Sequence, residues 1–329
     1  MVRFIGLLIP ALFILGCQAD PAEKKVPKDE KKIVNKGLNN VSFNPAVDIL
    51  FIVDDSGSMS TFQANMAANA ELFVQEIFKS KFIDYHIGVT TSTYYETNSS
   101  KAPMGRLHKV EDETYVTRKT RNGPSIMAQM LKVGTSGSGT EHFFSIAELA
   151  FSPENMQGFN KGFFRPDAFL AIFLVTDTDD QSQFSVTQHT DFLMQLKNNR
   201  QDKIHYTAAI IDQITSFDCS RLGEEFPRKI KDAVSFFNGS TFELCNADYG
   251  VEMAKVAQRI VEGVSTIYLE ELPDVKTIEV TFGGKALPND PNSGWVYDID
   301  LNAIRISPDT EISENEAAKL NIKYEAVYK

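Results

Sequence analysis

Histidine, cysteine and tryptophan are scarce here: the 329 residues hold five, three and one of them. The histidines (His86, His108, His142, His189 and His205) are scattered, with no pair at ligand spacing. No H-E-x-x-H occurs, so a zinc-hydrolase helix is excluded. A G-x-S-x-G elbow is also missing, and no Lys-Ser/Thr pair follows the glycine-rich stretch 134–139. Those two absences exclude the serine-hydrolase elbow and the phosphate-cradling loop. With no nucleophile–base set in view, a binding role is expected rather than an enzyme. Basic residues are outnumbered, 33 against 44 acids, and 7 of the former and 4 of the latter lie in the first 45 positions. The remainder therefore carries 26 against 40, a charge near −14. Phosphate backbones are held by clustered Lys and Arg, so no nucleic-acid partner is expected.

Long hydrophobic runs are equally few. The run Phe4–Gly16, behind Arg3, is 13 residues long. A bilayer-spanning helix needs about 20 residues, so this segment reads as an export signal instead. Its end, Ile14-Leu15-Gly16-Cys17, resembles the bacterial lipobox, in which the cysteine is acylated and becomes the new N-terminus. Residues 1–17 are thus read as a lipoprotein signal peptide with Cys17 as the lipidation site, the membrane being reached through that N-terminal lipid. A plain signal peptide with an incidental cysteine is the other reading. Gln18 stands where some Gram-negative lipoproteins carry an aspartate that retains them in the inner membrane. A bacterial cell-envelope location follows, outer membrane before inner, with the folded part in the periplasm or on the surface. Residues 18–45 are rich in Lys, Asp and Glu and poor in core formers, and are expected to be a disordered tether. The two remaining cysteines, Cys219 and Cys245, suit a disulfide in an oxidising compartment, buried free thiols being the alternative.

From residue 46 onward apolar runs alternate with helical periodicity. Residues 47–53, 85–92, 167–177 and 204–212 read as strands, the first buried on both faces. Segments 62–78, 122–134, 141–151, 191–199, 226–239 and 252–264 read as helices. Strands separated by helices imply a mostly parallel sheet with helices on both faces, a Rossmann-like three-layer α/β/α domain over 46–266. The stretch 105–117 reads as an edge strand with an excursion. Beyond 266 the pattern changes to short alternating runs and turns, expected to form a small all-β domain over 267–329 with Trp295 in its core.

One stretch calls for a chemical explanation. The buried strand "ILFIV" runs into Asp54-Asp55-Ser56-Gly57-Ser58, a knot of small oxygen donors. Asp and Ser are favoured helix caps, so alone this means little. In open α/β sheets, however, ligands bind beyond the carboxyl ends of the strands. The strand ending at Asp177 and the loop "GTSGSGTE" carrying Thr140 supply further oxygens at such ends. The loop Asp177–Ser182 is no calcium hand, since Ser182 and Gln188 occupy the positions that need glycine and glutamate.

Taken together, Asp54-x-Ser56-x-Ser58, Thr140 and Asp177 resemble the metal-ion-dependent adhesion site (MIDAS) of the von Willebrand factor A family, the integrin I-like fold. The resemblance spans roughly residues 46–266, and within the family it is nearest to exported bacterial lipoproteins. It implies one divalent cation, Mg²⁺ first and Mn²⁺ or Ca²⁺ as alternatives. In the family the serine hydroxyls bind directly, the aspartates act through water, and an open position takes an acidic side chain from a protein partner. This chain departs in having Thr178-Asp179-Asp180 where the family commonly has glycine after the aspartate. Asp179 and Asp180 are open to three readings: outer-shell acids, a bias toward calcium, or simple solvation; Asp55 is counted with the outer-shell acids. The expected function is a membrane-anchored, metal-dependent adhesion or interaction module, with segments 93–124, 152–166 and 178–186 setting specificity. The alternative is an envelope scaffold or assembly subunit in which the metal is only structural.

Overall fold

The computed structural model describes residues 35–94, 104–212, 226–246, 249–311 and 319–327. Two strands open it, β1 (Asn35–Phe43) and β2 (Ala46–Val53). Strand β2 is buried at every position and lies inside a six-stranded sheet. It pairs in parallel with β3 (Asp84–Thr91) on one side and with β5 (Phe169–Val175) on the other. The two-residue β4 (Val116–Thr117) runs antiparallel to β3 at one edge. On the other side β6 (Ile204–Ile210) and β7 (Ser240–Glu243) continue the parallel order.

Successive strand side chains face opposite sides of a sheet, and here that rule builds two cores. Ile49, Phe51 and Val53 of β2 join Ala171, Phe173 and Val175 of β5 on one face. Leu50, Ile52, Leu170, Ile172 and Leu174 fill the other. Helices α1 (Ser60–Lys79), α2 (Gly123–Met130) and α7 (Tyr249–Ser265) cover the first face. Helices α3 (Phe143–Ala150), α5 (Val186–Leu196) and α6 (Arg228–Phe236), with the short α4 (Pro153–Gln157), cover the second. In α1 the buried residues Met66, Ala70, Phe73, Val74 and Ile77 recur at helical spacing. Phe73 meets Phe51 edge-on at 5.3 Å, and Phe51 stacks on Phe173 at 4.5 Å. Burying each such ring contributes on the order of 2–3 kcal/mol. The fold is the three-layer α/β/α arrangement expected, with separate antiparallel sheets after α7.

The expected boundaries shift at both ends. The tether expected through residue 45 stops short, because residues 35–43 form β1, which pairs antiparallel with β13 (Leu320–Val327). Val41 and Phe43 of β1 face the core, with the exposed Ser42 between them. The expected C-terminal β-domain is therefore completed by an N-terminal strand. It comprises one sheet of order β1-β13-β9-β10, with β9 (Glu279–Phe282) and β10 (Lys285–Ala286). A second sheet has the order β11-β12-β8, with β8 (Thr266–Tyr268), β11 (Trp295–Asp298) and β12 (Ala303–Ile306). Their inner residues share one continuous core with α1 and α7, and Phe82, just after α1, meets Phe282 at 5.9 Å. Trp295 is buried there and donates its indole N–H to Leu287 O at 3.1 Å. Of the expected edge strand 105–117, β4 forms the ladder with the sheet, and His108 N–H adds a single bond to Val89 O at 2.6 Å.

At the amino ends of the parallel strands sits a buried ion pair. Asp48 of β2 is fully buried and accepts from the Arg165 Nε at 2.8 Å and the Arg165 backbone N–H at 2.6 Å. Arg165 also bonds Asp84 and donates to Val47 O. Burial pushes the Asp48 carboxyl up to about 6 against the pull of Arg165.

Candidate metal centre

The chain passes from β2 to β3 on one side and later returns to β5 on the other, so the winding reverses between β2 and β5. Crevices at such reversals are where open α/β sheets bind ligands. Asp54 and Asp177 leave these two strands side by side. The Asp54 N–H continues the ladder to Val175 O at 2.9 Å, and Thr176 N–H reaches Ala209 O at 3.0 Å.

Past Asp54 the backbone turns sharply. Asp54 Oδ1 accepts the Ser56 N–H at 2.8 Å, the local bond that makes Asp a turn former. A 3-10 turn over Gly57–Met59 then feeds α1. This turn brings the hydroxyl oxygens of Ser56 and Ser58 to 3.0 Å from one another. The other Asp54 oxygen, Oδ2, accepts from Thr176 Oγ1 at 2.9 Å.

Thr140 is exposed, on a loop that is fastened on both sides. Gln63, in the second turn of α1, donates to both Asp54 O (2.8 Å) and Gly134 O (2.7 Å) and accepts the Gly134 N–H (3.2 Å). Gly137 N–H reaches Asp55 O at 2.8 Å. A side chain at 137 would put its Cβ 2.3 Å from Asp55 Cγ and 2.4 Å from Thr93 Oγ1, so only glycine fits. Ser138 N–H donates to Thr93 Oγ1 at 2.8 Å, Thr140 N–H to Ser138 Oγ at 3.0 Å, and His142 N–H to Ser92 O at 3.1 Å.

The three neighbouring acids have other partners. Asp55 Oδ1 accepts from Thr93 Oγ1 at 2.7 Å and ties β2 to the end of β3. Asp179 accepts the N–H groups of Lys229 (3.0 Å) and Ile230 (3.1 Å), the first turn of α6. Asp180 accepts the Phe144 N–H at the start of α3 (3.0 Å), the Ser182 hydroxyl (2.6 Å) and the Lys229 ammonium (2.9 Å). Helix N-termini present unpaired N–H groups and partial positive charge, which these two carboxylates satisfy. They thereby fix the β5–α5 loop that carries Asp177. Solvation does not describe them: Asp55, Asp179 and Asp180 are all buried. Gln63, Thr93 and Thr176 are the positioning residues that sequence reading missed. Polar side chains at such positions leave no periodic signature.

Both aspartates on β2 and at its end are fully buried, Asp48 and Asp54. Asp48 is answered by a guanidinium; among the described residues Asp54 receives only neutral donors, from Ser56 and Thr176. Burial pushes the Asp54 carboxyl up to about 6, the Ser56 hydrogen bonds oppose this, and the nearby Asp177 charge adds to it. A buried carboxylate beside a second one, with two hydroxyls converging alongside, lacks a positive charge that a hard cation supplies. The donor set, carboxylate and hydroxyl oxygen, fits Mg²⁺, Mn²⁺ or Ca²⁺ rather than softer metals. Among the described residues no group of three or more His, Cys, Asp or Glu side chains could hold a metal ion, so any such centre here depends on hydroxyls.

No family model matches this chain, and no curated protein does. Solved structures that resemble it include the pilus adhesin SpaC from Lactobacillus rhamnosus GG, at 11% identity and a TM-score of 0.41, over 90% of this chain and 43% of that one. Proximal thread matrix protein 1 of the mussel byssus, with a zinc-occupied MIDAS motif, matches at 11% identity and a TM-score of 0.40, over 71% and 52%. The chain thus spans about half or less of the length of each. At these scores neither match bears on what the chain binds.

The other expected positions fall as follows. Cys245 is disulfide-bonded, while Cys219 and Cys17 lie outside the described residues. No helix among the described residues is long and apolar enough to cross a membrane.

Proposed function

We propose that this chain is a metal-dependent protein-binding module of the von Willebrand factor A type, acting as a binder and not as a catalyst. The observation that carries the reading is Asp54: a fully buried carboxylate at the sheet's switch point, without a cationic partner among the described residues, next to the paired hydroxyls of Ser56 and Ser58. Ser56 and Ser58 would hold the ion, with Asp54 and Asp177 supplying negative charge and Thr140 a further hydroxyl. The ion would supply an electrophile for a carboxylate. Because neutral hydroxyls leave its charge largely unquenched, an acidic side chain on a protein partner is the matching ligand. Mg²⁺ is the proposed ion. The lipobox-like end at Cys17 supports anchoring to the bacterial envelope, outer membrane first.

The test is calorimetric titration of Mg²⁺, Mn²⁺ and Ca²⁺ into the purified chain and its Asp54→Ala form, followed by capture of acidic peptides with and without chelator. Saturable metal binding lost in the variant, with capture lost in chelator, supports the reading. Metal binding that raises Tm but leaves capture unchanged would instead favour the scaffold alternative.

A further inference from the structure

Beside the metal centre lies a pocket of about 570 Å³ lined by Tyr94, His142, Ser145, Gln183, Phe184 and Gln188. Its walls come from the Thr140 and Asp177 loops of the centre and from the stretch that follows β3. Tyr94 follows Thr93, the residue that bonds Asp55. His142 and Ser145 follow Thr140, and residues 183–188 follow Asp177 in the β5–α5 loop. The volume is within the range of roughly 300–1,000 Å³ typical of pockets that accept a specific ligand.

The lining has a definite chemistry. Among the described residues it is lined by no Asp, Glu, Lys or Arg. Tyr94 and His142 stack in parallel at 4.8 Å, forming one flat wall, and Phe184 supplies a second ring. Gln188 uses its Oε1 to accept the Ser185 N–H at 2.9 Å, which keeps its amide NH₂ available for donation. Ser145 and Gln183 add a hydroxyl and a second amide. Rings on the walls with neutral donors and acceptors among them suit an aromatic group that has a polar tip.

The walls are also held in place before any ligand arrives. Gln181 N–H bonds Glu141 O at 2.8 Å, tying the 181–188 segment to the loop of His142. A capping box joins Ser185 and Gln188, and Asp180 caps the helix that carries Ser145. Pre-ordered walls lower the entropy lost on binding.

We infer that the polypeptide offering a carboxylate to the metal centre also inserts a tyrosine or tryptophan side chain, close in sequence to its acid, into this pocket. The inference rests on the metal-site reading and adds the second determinant that sets specificity. One ion–carboxylate contact selects any acidic surface; the pocket restricts selection to acids flanked by an uncharged ring.

The experiment is selection of a displayed peptide library, with one fixed glutamate and randomised neighbours, on the chain in Mg²⁺. It is repeated on Ser145→Lys and Phe184→Ala, each checked for fold by circular dichroism and for Mg²⁺ binding by calorimetry. The expected result is enrichment of Tyr and Trp near the glutamate. The best such peptide should bind roughly tenfold more weakly to either variant, with Mg²⁺ affinity unchanged. Mg²⁺-dependent capture of glutamate peptides indifferent to their neighbours, or enriched for Lys and Arg, would overturn the pocket assignment and leave the metal site standing. Absence of both Mg²⁺ binding and glutamate selection would overturn the metal-site reading and this inference with it.

Discussion

Gln63 grips Gly134 from both directions, donating to its carbonyl at 2.7 Å and accepting its N–H at 3.2 Å. The same amide holds the Asp54 carbonyl, so one side chain on α1 couples the turn after β2 to the loop that carries Thr140. Gln63→Leu keeps the bulk and removes all three bonds. Leaving a buried carbonyl without its donor costs about 1–3 kcal/mol. The expected outcome is a lower Tm together with weaker Mg²⁺ binding, read by thermal unfolding and calorimetry on the same sample.

Asp54→Asn separates charge from shape. In chelator, the variant is expected to be as stable as the parent or more so, because it removes a buried charge that no side-chain cation among the described residues answers. In excess Mg²⁺ the order reverses. A parent at 100 times its dissociation constant gains about 2.7 kcal/mol by mass action, and the variant gains nothing. Paired urea titrations with and without Mg²⁺ measure both. A variant stabilised by Mg²⁺ as strongly as the parent would refute the role given to Asp54.

At the opposite end of β2, Arg165→Met strands the Asp48 carboxylate. Breaking one partner of a buried pair costs on the order of 3–5 kcal/mol. Adding Asp48→Leu to that variant is expected to recover much of the loss, since the uncompensated charge goes too. Chemical denaturation of the single and double variants gives the coupling directly.

His189 is fully buried, stacked on Phe144 at 4.0 Å and bonded through Nε2 to Tyr206 Oη at 2.9 Å. Burial holds its imidazole down to about 3. The unfolded chain takes up a proton near pH 6.5 while the folded chain does not, so the contribution of His189 falls as pH drops from 6.5 toward 3. Between pH 7 and pH 5 that loss is about 2 kcal/mol. Asp54 and Asp48 act in the other direction, since carboxyls raised to about 6 destabilise the metal-free fold above that pH and relieve it below. The difference between parent and His189→Phe isolates the histidine. The variant is expected to be less stable at pH 7, because Tyr206 loses a partner, yet to lose less on going to pH 5.

How much of this was legible beforehand depended on whether a residue's role was local. Strands β2 and β5 announce themselves because burial on both faces demands apolar residues throughout. Asp54, Ser56 and Ser58 stand together in the chain, so their convergence follows from one turn. Strand β1 is different: "NKGLNNVSF" has little apolar content, and its strand state comes from β13 at the other end of the chain. Asp179 and Asp180 were equally opaque. Nothing in "TDTDDQS" tells that two of its acids cap α6 and α3, since those helices reach the loop only through the fold. Gln63 was invisible for the same reason, its partner lying 71 residues on.

The pairing of Asn35 with Val327 has a practical corollary. The two residues are neighbours across adjacent strands, so a short peptide joining them would close residues 35–327 into a ring. New ends could then be opened in any exposed turn far from the metal centre. A permuted protein built this way would keep its sheet order while carrying its ends elsewhere, so that the proposed binding face could be displayed in a chosen orientation.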